Sequence, residues 1–257
     1  DGLERSRVGN SALYYTYFMH EIVEFETETR GGIEYVRPTR WKQTPLPLFL
    51  EGMVHALKVT TKADEARAIR AAVRKCALFD RALRMYKVNA PLRDAPDEIG
   101  RARAFTPGWL ENESIWLHME YKFLLELLRA GLYKEFFADV RDVLIPFQPP
   151  ARYGRSTIEN SSFLVSSAFP KKELHGAGFV ARLSGSTAEW LEIWTQLCAG
   201  PAPFAVDGNG ALALRLAPIL PAWLFAKDGS FSFRFLGKTI VTYRNRRRRD
   251  TFGPRAL

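Results

Sequence analysis

The sequence predicts a mainly α protein that ends in a small β-region, and three observations predict it. Apolar residues recur at helical spacing over roughly the first three quarters of the chain. Near Gly200 that spacing gives way to short runs of alternating residues divided by glycine turns. The chain has 257 residues, 47% of them hydrophobic and 13% aromatic, enough to bury a sizeable core as one large domain or two small ones. The expected division is a helical part over 1–199 and a β-region over 200–257.

Taken in order, residues 11–26 place Leu13, Tyr14, Tyr17, Phe18, Ile22 and Val23 on one wide apolar face, which predicts a helix. Residues 31–44 read as a long loop. Residues 46–59 and 63–78 return to helical spacing, the second rich in Ala and Arg, which favour helix. Residues 88–112 form a second long loop. Long loops loaded with aromatic and charged residues are where binding and catalysis usually reside. Helices follow over 114–128 and, after Gly131, over 133–144, glycine being suited to a helix C-terminus. The last helix, 187–197, is introduced by Ser184, Gly185, Ser186 and Thr187, whose hydroxyls and glycine suit an N-cap. Strands are expected over 211–216, 231–235 and 239–243, with turns at Asp207-Gly208-Asn209-Gly210 and Asp228-Gly229.

Composition narrows the function classes. No stretch approaches the ~20 apolar residues of a membrane span, and the first residues lack the apolar core of a signal peptide. Cys76 and Cys198 are far apart with no CxxC spacing, which predicts reduced thiols in a cytoplasmic protein and no zinc site. The net charge of +9 and the pI near 9.7 raise nucleic acid as a partner, with Arg244, Arg246, Arg247, Arg248 and Arg249 as the focus. The other basic residues are scattered among acids and no groove-reading motif accompanies the run, so it reads as a solvated cluster and nucleic acid is disfavoured. The first residue is Asp, which suggests a chain that begins inside a longer protein.

Three segments carry chemistry. In residues 105–116 a Pro107-Gly108 turn precedes Glu111, Asn112 and Glu113, flanked by Phe105, Trp109 and Trp116. Indole faces stack on pyranose rings, carboxylates and amides take sugar hydroxyls, and a carboxylate pair serves acid/base work at a glycosidic bond. The same acids also suit a helix start, where they complement the dipole. In residues 179–190, Ser184, Gly185, Ser186 and Thr187 at a helix start make an anion site suited to phosphate, or an ordinary cap with Trp190 and Trp194 in the core. Residues 152–163 gather Arg152, Arg155, Glu159 and Asn160.

In order and spacing, from about residue 84 onward, these segments resemble the cellobiose and chitobiose phosphorylases and their β-oligoglucan phosphorylase relatives. Met85-Tyr86-Lys87-Val88-Asn89-Ala90-Pro91 is similar to the stretch leading into the family's Tyr-Pro-Pro-Gly-x-x-Glu-Asn loop, matched at Pro107, Gly108, Glu111 and Asn112. Residues 184–190 resemble its Thr-Gly-Ser/Thr-Ala-x-Trp motif, and 214–245 its closing strands. The resemblance implies part of an α/α toroid, a six-hairpin barrel, followed by the β-region. It implies transfer of a glucosyl unit between a β-glucoside and inorganic phosphate with inversion, phosphate being co-substrate and no other cofactor needed. Glu111 and Glu113 would hold sugar hydroxyls, Phe105 and Trp109 would border the sugar, and Ser186, Thr187 and Asn112 would bind phosphate. Asn112, or an arginine, stands in for the family's phosphate-binding histidine, while His118 reads as a core residue. The family's general acid is an aspartate in an Asp-Trp-Asn-Asp-Gly motif. Asp1-Gly2-Leu3 resembles its end, which places the acid upstream, so no catalytic residue is assigned. About six helices are too few to close the toroid, as expected of a fragment. A homodimer is implied by the family's habit. A catalytically silent sugar-binding module, and an inverting hydrolase using Glu113 or Glu159 as base, are the alternatives.

Overall fold

The computed structural model describes residues 2–181 and 184–253. In chain order these form α1 (Gly2–Ser6), β1 (Phe18–Arg30), β2 (Ile33–Pro45), α2 (Leu50–Val59), α3 (Ala63–Lys75), β3 (Phe79–Asp80) and β4 (Met85–Tyr86). Then come α4 (Arg101–Ala104), β5 (Ile115–Trp116), α5 (Leu117–Arg129), α6 (Tyr133–Val143), α7 (Pro150–Tyr153), β6 (Ser161–Leu164), β7 (Gly178–Ala181) and α8 (Ser184–Ala199). The chain closes with β8 (Phe204–Val206), β9 (Leu212–Leu214), β10 (Ser230–Phe235) and β11 (Thr239–Arg244). The expected mainly α toroid is therefore incorrect. Helix accounts for 35% and strand for 25%, arranged as eight helices and five small antiparallel sheets among the described residues.

The largest departure is at residues 18–45, where the predicted helix and loop form one β-hairpin. Gly31 and Gly32 both have positive φ, +59° and +80°, the backbone of a two-residue turn whose twist matches the strands. Acidic residues of β1 then lie directly opposite basic residues of β2: Glu21 faces Lys42, Glu24 faces Arg40 and Glu26 faces Arg37, all ion-paired. Each exposed pair contributes little alone, but together they fix the register. A bulge between Ile22 and Glu24 shifts the alternation, and this break lets the segment mimic helical spacing.

Elsewhere helical spacing is honoured, because those segments bury their apolar stripe. Helix α5 is the hub, packing on α2, α6, α8 and β6. It is buried nearly all round, through Leu117, Tyr121, Phe123, Leu124, Leu125, Leu127 and Leu128. Its Glu120 is fully buried and accepts the Tyr86 N–H at 2.7 Å on one oxygen, while the other has no hydrogen-bond partner.

Burial, with Asp139 and Asp80 nearby, holds the Glu120 carboxyl well above the usual carboxylate range. Because the folded pKa is raised, the stability linked to it is complete below the unfolded value and is lost as pH rises towards the folded one. Glu120→Gln is therefore expected to raise the urea midpoint at about pH 7.5 and to leave it unimproved at about pH 4. A variant less stable than the parent at both pH values would contradict this.

Candidate functional site

One small sheet draws the three chemistry-bearing segments together. β5 pairs with β6 and β6 with β7, all antiparallel, so residues 105–116, 152–163 and the approach to α8 meet at adjacent strands. Trp116 lies opposite Phe163, and Phe163 opposite Phe179, in register. Their rings are near parallel, with centroids 6.0 Å apart at each step, and Trp109 packs edge-on against Phe163 and Phe179 at 5.1 and 4.6 Å. Such cross-strand aromatic pairs hold strands too short to persist alone. Gly178 allows the close approach on the opposite side, since a Cβ there would lie 2.2 Å from the Tyr153 ring.

The loop bearing Phe105, Trp109, Glu111, Asn112 and Glu113 is tightly folded. Gly108, Leu110 and Glu113 all have positive φ, of +85°, +48° and +59°. For the two non-glycine residues this is a strained conformation, of the kind concentrated at functional sites. The loop is pinned from the 85–91 stretch. The fully buried Asn89 donates to the Glu111 carbonyl and accepts the Glu113 N–H at 2.7 Å, and the Lys87 ammonium meets the Glu113 carboxylate at 2.7 Å in a buried pair. Asn112 is buried and spends its amide N–H on the Phe105 carbonyl at 2.7 Å. One Glu111 oxygen accepts from Arg101 at 2.8 Å, while its Oε2 and Asn112 Oδ1 have no hydrogen-bond partner.

A cleft of about 740 Å³ opens beside this sheet, lined by Arg155, Glu159, Asn160, Thr187 and Trp190, with Pro146, Thr157 and Ile158. That is the size of a small-ligand site, and its lining mixes an indole with a cation, an amide and a hydroxyl. Two buried tyrosines hold its polar loop. The Tyr121 hydroxyl donates to Asn160 Oδ1 at 3.0 Å, and the Tyr153 hydroxyl donates to the Glu159 carbonyl at 2.7 Å and accepts the Ser161 N–H at 2.9 Å.

Residues 184–187 form the first turn of α8 rather than a cap preceding the helix, while residues 182 and 183 lie outside the described residues. The two hydroxyls expected to act together there are separated, because Ser186 is buried and Thr187 is exposed on the cleft. Among the predicted sugar and phosphate residues Thr187 is the one that lines this cleft, and Phe105, Trp109, Glu111, Asn112, Glu113 and Ser186 are not in its lining.

His118, read from sequence as a core residue, stands at the start of α5 against this turn. A Cβ added to Gly185 would lie 2.7 Å from its ring, and Glu189 is 4.0 Å from its Nε2. Burial, then the Lys122 charge, pull its pKa below the ordinary histidine value. The signal available in the sequence was its place just past the Glu-Asn loop, one residue into α5. Among the described residues no group of His, Cys, Asp and Glu could hold a metal ion, and no helix is long and apolar enough to cross a membrane. Compared with known proteins, the chain matches no family model and no curated protein.

Proposed function

We propose that this chain supplies the sugar- and phosphate-binding wall of an inverting glycoside phosphorylase acting on β-glucosides. The observation that carries the reading is the meeting, at one cleft, of the first turn of α8, an arginine, a sugar-type amide and an indole. The dipole of α8 favours an anion at its N-terminal turn, with Thr187 and Arg155 as its side-chain partners. His118 packs against the turn at Gly185. Trp190 offers a ring face to the pyranose, and Glu159 and Asn160 suit its hydroxyls. In the reaction, phosphate oxygen forms a bond to the anomeric carbon as the glycosidic C–O bond breaks on the opposite face, and the departing oxygen takes a proton from an acid. No residue of this chain is assigned as that acid.

Sugar binding without turnover is the second reading. The observation that favours it is the neutralisation of both loop carboxylates, Glu113 by Lys87 and Glu111 by Arg101. The test is phosphate release from α-glucose 1-phosphate with glucose, cellobiose or laminaribiose as acceptor, by the chain extended upstream of Asp1, where the resemblance puts the acid. Acceptor-dependent release is the expected result, and Thr187→Val should lower it by about tenfold, the loss expected for one hydrogen bond to a charged group. Sugar binding with no release supports the second reading, and release of free glucose that needs no phosphate supports a hydrolase.

A further inference from the structure

We propose that the two C-terminal hairpins form a face that lies on an anionic lipid bilayer, its aliphatic side chains entering the headgroup region and its arginines meeting the lipid phosphates. The inference is independent of the sugar reading of the cleft. Positive charge is concentrated in this part of the chain. Residues 200–257 hold ten Lys and Arg against three Asp and no Glu, a net +7 of the chain's +9. The three acids leave these cations uncompensated, because each closes a turn. Asp207 accepts the Asn209 and Ala211 N–H groups at 2.9 Å, Asp228 the Ser230 N–H at 2.9 Å, and Asp250 the Ala222 N–H at 2.7 Å. Among the described residues no cation of this region forms a salt bridge; Arg244 acts on Asp228 only at longer range.

The arginine run is held in a fixed turn. Buried Asn245 donates its amide to the Arg249 carbonyl at 2.7 Å, accepts the Arg249 N–H at 3.3 Å, and takes the Arg248 N–H on its own carbonyl at 2.9 Å. Arg246, Arg247, Arg248 and Arg249 are all exposed on that turn. At the other end of the β10–β11 hairpin, about 17 Å away along five residues of strand, Arg234 and Lys238 flank Leu236. In β8–β9 the register sets Phe204 opposite Leu214 and Val206 opposite Leu212, so the four large apolar side chains share one face. Val206 is 69% exposed, Leu212 75% and Leu214 56%. Phe204 stacks on Phe235 at 6.0 Å, which joins this face to the β10–β11 turn, where Leu236 is 72% exposed. An exposed apolar patch of this kind marks a protein or membrane contact. Nucleic acid is disfavoured because valine and leucine cannot stack on bases. Cations strung along a whole hairpin, rather than gathered around one pocket, suit the laterally mobile headgroups of a bilayer, on which such a face lies without a spanning helix.

Co-sedimentation of the full chain with vesicles of phosphatidylcholine, or of phosphatidylcholine mixed with phosphatidylglycerol, tests this. The mixed vesicles should be bound about tenfold or more tightly, and added salt should weaken that binding. Leu212→Ser with Leu236→Asn, and separately Arg246→Ser with Arg247→Ser, should each lower binding to the mixed vesicles by about tenfold. All four positions are exposed, so the urea midpoint should not move. No binding to the mixed vesicles, equal binding to both kinds, or full binding by either variant would overturn the proposal. Retention of poly(U) but not of vesicles would overturn it in favour of a nucleic-acid surface.

Discussion

Asp139→Ala is expected to cost about 3–5 kcal/mol of stability, the range for leaving buried charge without its partner. Asp139 on α6 is 1% exposed and accepts four hydrogen bonds: two from Arg70 at 2.9 and 2.7 Å, one from Arg74 at 2.8 Å, and one from the Tyr86 hydroxyl at 2.6 Å. It thereby ties α3 and β4 to α6. A buried ion pair is weak grounds for stability by itself, since desolvation offsets much of the attraction. Removing one side is different, because two partly buried guanidinium groups would remain without their carboxylate, although Arg74 would keep its stacking over Phe79, 4.3 Å from the ring centroid. Tyr86→Phe, which removes one hydrogen bond to that carboxylate and leaves both arginines paired, should cost less, about 1.5–3 kcal/mol. Urea unfolding of the two variants checks the ordering, and a loss under about 1 kcal/mol for Asp139→Ala would contradict it.

Gly108→Ala should cost about 2–4 kcal/mol, from strain at positive φ together with overpacking. Two independent features oppose a side chain there. The φ of +85° disfavours any L-residue, and a Cβ would lie 2.5 Å from the Phe169 backbone nitrogen, which cannot swing away as a side-chain tip can. The Gly108 N–H also closes the loop onto the Asn112 carbonyl at 2.7 Å, and its carbonyl accepts the Ser166 N–H at 3.2 Å. A shift would therefore move Trp109 off Phe163 and Phe179, which quenched or shifted indole fluorescence would report alongside the denaturation midpoint. A variant with unchanged midpoint and spectrum would show that the loop relaxes at no cost.

The helices were legible where a 3.6-residue apolar period coincided with true burial, as in α2, α3, α5, α6 and α8. The hairpin at 18–45 was not, because its bulge imitates helical spacing and its stability comes from pairing across the turn. The sheet that joins the candidate site was equally hidden. β5 is two residues long and pairs with β6 nearly fifty residues on, and no local pattern announces such a contact. The segments bearing Glu111, Arg155 and Thr187 could be named from residue chemistry, but their meeting could not. Nor could sequence show that Lys87 would neutralise Glu113, that Ser186 would turn inward, or that His118 would lie against Gly185.

The central claim is that α8's first turn, Arg155 and Thr187 form an anion site. Calorimetric titration with inorganic phosphate tests it most directly, on the parent chain and on Arg155→Ala. Saturable binding that weakens by about tenfold or more in the variant is the predicted result, since a charge-assisted hydrogen bond is lost. No saturable binding by the parent chain, or equal affinity in the variant, would contradict the account.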